Sequence, residues 1–177
     1  LMRYYDTPTY KLLSEFFNEP DYYEDEIEGF PVCAQRNFAK AWCGYVGIPR
    51  THPHFGLSYS DRVQVADRNI KITSQSPIAI LCEALKEDDG KLALDMIYDC
   101  PGGLTWAADH EPFDRIKKAD WWFGFDCNHY NDLSPQDIIK AGFDPTYYLG
   151  NERSYKNLNF VKEALTSLAK QFKEHME

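Results

Sequence analysis

Apolar residues along this chain change their spacing several times, and each change predicts an element. Tyr10, Leu12, Leu13, Phe16 and Phe17 follow Thr7-Pro8. A threonine suits an N-cap and a proline the first helical position, so a short amphipathic helix is expected there. The acidic stretch from Glu19 to Glu28 reads as a solvated connection with some local order. From Phe30 the texture turns to β-formers. Phe30 to Asn37 and Lys40 to Ile48 predict a hairpin turning near Asn37. Pro49 to Tyr59, with Pro53 and Gly56 inside it, predicts a structured loop.

Ser76-Pro77 opens a predicted helix through Leu85, closed by Lys86 to Gly90. Leu92 to Tyr98 and Leu104 to Ala107 read as strands separated by Pro101-Gly102-Gly103, and Trp121 to Phe125 as an apolar strand ended by a polar loop at Asp126. Ser134-Pro135-Gln136-Asp137 is a helix start, with Gly142 placed to stop it. From about Asn157 to Lys173, Val161, Leu165, Leu168 and Phe172 form one apolar face. Strands in the middle and helices at both ends imply an α+β fold with a mostly antiparallel sheet and the last helix on one face. One domain over 1–177 is expected: a helical and acidic segment to 29, a sheet-rich core over 30–132, and helices over 133–177.

Composition narrows the partners. The 177 residues carry 19 basic and 28 acidic side chains, a net charge of -9. The basic residues are scattered, so nothing supplies the cationic face that a nucleic acid polymer or an anionic membrane requires. No apolar run is long enough to span a bilayer, and the opening residues predict no signal peptide, which points to the cytoplasm. Five cysteines, Cys33, Cys43, Cys82, Cys100 and Cys127, lie in core-like contexts without a C-x-x-C, and no disulfide is expected. Aromatics reach 15%. Such rings fill cores and also wall sites for flat ligands.

Three segments carry candidate chemistry. In Asp126-Cys127-Asn128-His129-Tyr130-Asn131-Asp132, an imidazole stands between two carboxylates at spacings of three. One carboxylate can orient such a ring and the other can keep it cationic, which suits acid/base work or part of a hard metal site. Turn capping explains the same residues equally well. Gly102-Gly103 before Leu104-Thr105 lets backbone approach a ligand, or simply makes a hairpin turn; the Lys-Ser/Thr ending of a P-loop is missing. His52-Pro53-His54 could hold a metal only with a third ligand from His129 or Asp126. Cys127 is a poor nucleophile candidate, because neighbours in a loop rarely reach the geometry that His129 would have to provide. No zinc, Rossmann or G-x-S-x-G signature occurs, so neither a metal nor a cofactor is called for.

The succession Gly44-Tyr45-Val46-Gly47, His52-Pro53, Gly102-Gly103-Leu104-Thr105 and Trp122-Phe123-Gly124-Phe125-Asp126-Cys127 resembles a family of uncharacterised bacteriophage and bacterial proteins. His129, Asp132 and the closing Tyr155 to Leu168 stretch extend the likeness, which runs from Phe30 to the end. The family pattern carries a histidine before Gly-Gly-Leu-Thr where this chain has Pro101, so no catalytic or metal role is carried to that position. The resemblance implies an origin and no activity.

The leading expectation is a small-molecule-binding protein, a nucleotide-like signal being one ligand that stacking aromatics and a Gly-Gly backbone would suit. Tyr45, His52, Gly102, Gly103, Thr105, Trp122, Asp126, His129 and Asp132 would line its pocket at one end of the sheet. A hydrolase using His129 with Asp126 or Asp132 is the alternative. A third is an interaction module whose acidity suits a basic partner.

Overall fold

The computed structural model describes residues 3–64, 90–113, 118–144 and 153–177. The predicted Ser76–Leu85 helix and Cys82 lie outside the described residues.

After a 3₁₀ turn at Tyr4–Asp6, α1 spans Pro8–Asn18. Its N-cap is Thr7, whose side chain accepts from the Tyr10 amide, with Pro8 in the first turn, as the sequence pattern predicts. Four strands of the main sheet are β1 (Tyr22–Ile27), β2 (Phe30–Arg36), β3 (Trp42–Ile48) and β7 (Trp121–Asp126). The fifth is β6 (Trp106–Ala108), and the order β1-β2-β3-β7-β6 is antiparallel throughout. Two short strands, β4 (Arg62–Gln64) and β5 (Lys91–Ala93), pair separately. The one-turn helix α2 (Leu94–Ile97) follows β5 directly.

Beyond β7, β8 (Asp132–Leu133) pairs in parallel with β9 (Ser154–Tyr155). Between them lies α3 (Pro135–Lys140), started by a reciprocal capping box between Ser134 and Asp137. The last helix, α4 (Leu158–Glu174), takes Asn157 as N-cap. Its apolar face meets β3, β2 and β1, so the fold is α+β with the closing helix on one sheet face.

Alternation sorts the strands cleanly. Val32, Ala34, Trp42, Val46, Phe123 and Phe125 join Val161, Leu165, Leu168 and Phe172 in the main core. Gly44 is what lets helix and sheet come this close. A Cβ there would sit 2.5 Å from the Phe125 ring and 3.1 Å from the Leu165 side chain. The opposite face gathers Cys33 and Trp122 with Tyr22, Tyr45, Trp106, Phe113 and Ala119.

Two expectations need correction. The acidic stretch is not a connection. Its residues 22–27 form the outermost strand, with Glu24, Asp25 and Glu26 exposed along it. Charge on an edge strand blocks unwanted pairing without preventing the strand itself, which is why polarity misleads there. Leu92 to Tyr98 is not one strand. Only Leu92 and Ala93 belong to a strand, and the chain then coils through α2, burying Leu94 and Ile97 together at helical spacing.

Among the described cysteines Cys33, Cys43, Cys100 and Cys127 are free. Burial pushes the Cys33 and Cys43 thiols up to about 12. A thiol reagent is therefore expected to react slowly with Cys33 and Cys43 in the folded protein and to count five thiols once it is unfolded without reductant. A count of three would reveal a disulfide.

Candidate functional site

β7 ends at Asp126, and the next six residues turn back to begin β8 at Asp132. This turn is closed by side chains. Asp126 Oδ1 accepts from the Asn128 amide at 3.0 Å, and Asp132 Oδ2 accepts from the His129 amide at 2.9 Å. The same Asp132 oxygen lies 3.2 Å from His129 Nδ1, while Asp126 Oδ1 lies 3.3 Å from Nε2. Both ring nitrogens thus face a carboxylate, an arrangement that only the doubly protonated ring satisfies completely.

Exposure separates the two acids. The Asp132 side chain is 7% exposed and that of Asp126 34%, with His129 between them at 37%. Asp132 is compensated from β9. Lys156 Nζ lies 3.1 Å from its other oxygen, and the Arg153 guanidinium donates to its carbonyl at 2.8 and 3.1 Å. The parallel β8–β9 pairing places both cations there, a long-range effect that local spacing does not reveal.

The glycine pair comes to the same place. Gly103 donates to the Cys100 carbonyl at 2.9 Å, closing a turn with Pro101 and Gly102 at its centre. Gly102 has φ +70°, and a Cβ there would lie 2.2 Å from His129 Cε1 and Nε2. Only a residue without a side chain allows the turn to rest on this imidazole. Thr105 stands exposed just beyond, its amide on the Gly124 carbonyl at 2.9 Å.

Gly102, Gly103, Asp126, His129 and Asp132 therefore share one region, but three other expected members do not. His52 is at the opposite end of the sheet. Ile48 pairs with Trp121 while Cys43 pairs with Asp126, so the loop after β3 and the loop after β7 leave from opposite ends. His52 is buried: Nδ1 accepts from the His54 amide at 3.0 Å, and Nε2 donates to the Phe172 carbonyl at 2.9 Å. It satisfies one of the carbonyls that the end of α4 leaves without a helical partner. Trp122 and Tyr45 miss for another reason. Both point to the sheet face away from α4, where Trp122 is fully buried and Tyr45 packs edge-on against Trp106 and Phe113. The aromatic wall expected around a pocket is thus an aromatic second core.

His54 belongs with His52. Its Nδ1 lies 2.6 Å from the Tyr98 hydroxyl, and its ring is 5.0 Å from that of His175. Burial first, and then the neighbouring histidines, hold His54 down at about 4. Burial also lowers His52 and His175. The metal arrangement that joined His52 and His54 to His129 is not formed. Among the described residues no three histidine, cysteine or acidic side chains are grouped to hold a metal ion.

Two clefts follow one side of α4. The first, of about 320 Å³, lies between Asp99–Pro101 and Phe160, Glu163, Ala164 and Ser167. The second, of about 620 Å³, shares Asp99, Glu163 and Ser167 and continues past Thr166, Lys170 and Glu174. None of the sequence-predicted site residues lines either, although the first ends at Pro101, next to Gly102. Lys156, Arg153 and this cleft escaped the sequence reading.

No helix among the described residues is long and apolar enough to cross a membrane. No family model, curated protein or solved structure matches the chain.

Proposed function

We propose that the cluster around His129 is the acid/base site of a hydrolase acting on a small molecule. The observation carrying this reading is the division of labour between the two carboxylates. The buried Asp132 holds Nδ1 and the backbone amide of His129, while Nε2 lies beside the more exposed Asp126. A buried acid on one ring nitrogen fixes orientation and supports positive charge, leaving the other nitrogen for proton transfer. Asp126 is then the second proton-handling group, and the exposed Gly102 backbone and Thr105 border the place where a substrate would lie. The cleft ending at Pro101 offers the adjoining volume. A cytoplasmic setting fits the same reading, since the four described thiols are free.

A second reading has one observation in its favour. Nε2 already has Asp126 beside it, and Gly102 rests on that edge of the ring. A ring held so firmly suits a binding protein that grips a small polar ligand, nucleotide-like or otherwise, without turnover.

A panel of small esters, amides and phosphodiesters with chromogenic leaving groups separates the two. The protein is expected to hydrolyse at least one class, with His129→Ala and Asp132→Asn each losing about 10²-fold or more. The His129→Ala melting temperature should stay within a few degrees, because the imidazole is 37% exposed and the buried Asp132 keeps Lys156 as its partner. Turnover unchanged by either substitution overturns the acid/base role. Ligand-induced thermal stabilisation that disappears in His129→Ala, without any turnover, favours the second reading.

A further inference from the structure

The two histidine centres stand at opposite ends of α4, and one short piece of chain touches both. Tyr98 stacks on Phe172 with ring centroids 4.1 Å apart, and its hydroxyl meets His54. The Gln171 side chain then holds Asp99 like a neighbouring strand: Asp99 N donates to Oε1 at 2.7 Å, and Nε2 donates to the Asp99 carbonyl at 2.8 Å. Cys100 and Pro101 form one wall of the first cleft, and Gly102 ends against the His129 ring. Only four residue steps separate Tyr98 from Gly102, and the Gln171 side chain and the Cys100–Gly103 turn hydrogen bond fix the chain between them.

We infer that the Tyr98–Gly103 strap couples the buried histidine centre to the His129 site, so that proton uptake at His54 draws Gly102 away from His129. The functional consequence rests on the reading of His129 given above; the mechanical coupling does not. His54 is faced by His52 from its own loop, by the Tyr98 hydroxyl from the strap, and by His175 from the turn after α4. The Glu174 carboxylate acts on His175. No carboxylate among the described residues forms an ion pair with His54, so a proton there adds charge among three imidazoles and a phenol. Of these contacts Tyr98 is the one that leads into the strap, while His52 is fixed at both nitrogens by backbone groups. A two-position element biased by a buried histidine is a common form of pH response. Here the element would also move the wall of the cleft.

Amide and imidazole NMR signals of the full chain between pH 7.5 and about 3, an interval that brackets the His54 value of about 4, test this. The Gly102 and Gly103 amides are expected to show a step with the same midpoint as the His54 ring. The step should persist in His129→Gln, which removes the imidazole against which Gly102 packs, and should vanish in His54→Phe. Tyr98→Phe, which keeps the stacking on Phe172 and removes the hydroxyl, should reduce it. A step that survives in His54→Phe, or amides that do not respond at the His54 midpoint, overturns the coupling. Neither result bears on whether His129→Ala loses turnover, so the two readings fail separately.

Discussion

Arg36→Met is expected to destabilise the protein by about 3–5 kcal/mol, the usual cost of leaving one member of a buried ion pair without its partner. The Arg36 side chain is 4% exposed, and its guanidinium lies over Phe16 at 4.5 Å and over Trp42 at 4.3 Å. Nη1 donates to the Lys40 carbonyl at 2.8 Å and to the Tyr155 hydroxyl at 2.7 Å; Nη2 faces Glu19 at 3.4 Å. Glu19 in turn accepts from the Tyr155 hydroxyl at 2.6 Å and, through its other oxygen, from the Leu158 amide. One carboxylate therefore ends α1 and caps the first turn of α4, where the helix dipole favours negative charge. Methionine fills much of the space between the two rings, so the loss is electrostatic more than volumetric. At roughly 2–4 °C per kcal/mol for a chain of this size, the melting temperature should fall by about 6–20 °C. The double variant Glu19→Gln, Arg36→Met should lose less than the two single losses added, because neither charge is then stranded. A single-variant loss under about 1 kcal/mol would show that water already reaches this pair.

That network also marks where sequence reading stops. Helices α1, α3 and α4, the β2–β3 hairpin and β7 were legible because their signals are local. Thr7-Pro8, Ser134-Pro135 and the apolar face from Val161 to Phe172 each act within a turn or two of themselves. Glu19 looked like a solvated charge, yet its partners Arg36, Tyr155 and Leu158 are 17, 136 and 139 residues away. The register of β7 on β3 is equally nonlocal, and it alone decides that His52 and His129 leave opposite ends of the sheet. Spacing could suggest the Asp126, His129 and Asp132 grouping because all three lie in one turn. It could not tell a histidine that caps a helix carbonyl from one that meets solvent. No local signal separates them: a His-Pro-His after an apolar strand is as compatible with a buried connection as with a ligand-bearing loop.

Folding stability should fall by about 3 kcal/mol or more as the pH drops from 6.5 to 4, with the histidine centre as the main cause above about pH 5. His54 is held down at about 4 by burial first and by its neighbours His175 and His52 second. Burial lowers His52 and His175 in the same direction. In the unfolded chain all three titrate near the ordinary histidine value of about 6.5. Above that value neither state binds the protons, and the full stability is present. Below it the unfolded chain binds protons that the folded protein refuses, so stability declines until the folded sites titrate in turn. For His54 the window is 6.5 to about 4, and at 1.36 kcal/mol per pH unit it accounts for about 3 kcal/mol alone. Urea unfolding of the native chain and of His54→Phe at pH 7.5, 6, 5 and 4 measures this directly. Phenylalanine keeps a ring against Tyr98 and His175 but binds no proton. Its stability should therefore fall by distinctly less across the same interval, whatever its starting value. Parallel curves for the two proteins would remove His54 as the cause and assign the acid sensitivity to His52, His175 or the carboxylates instead.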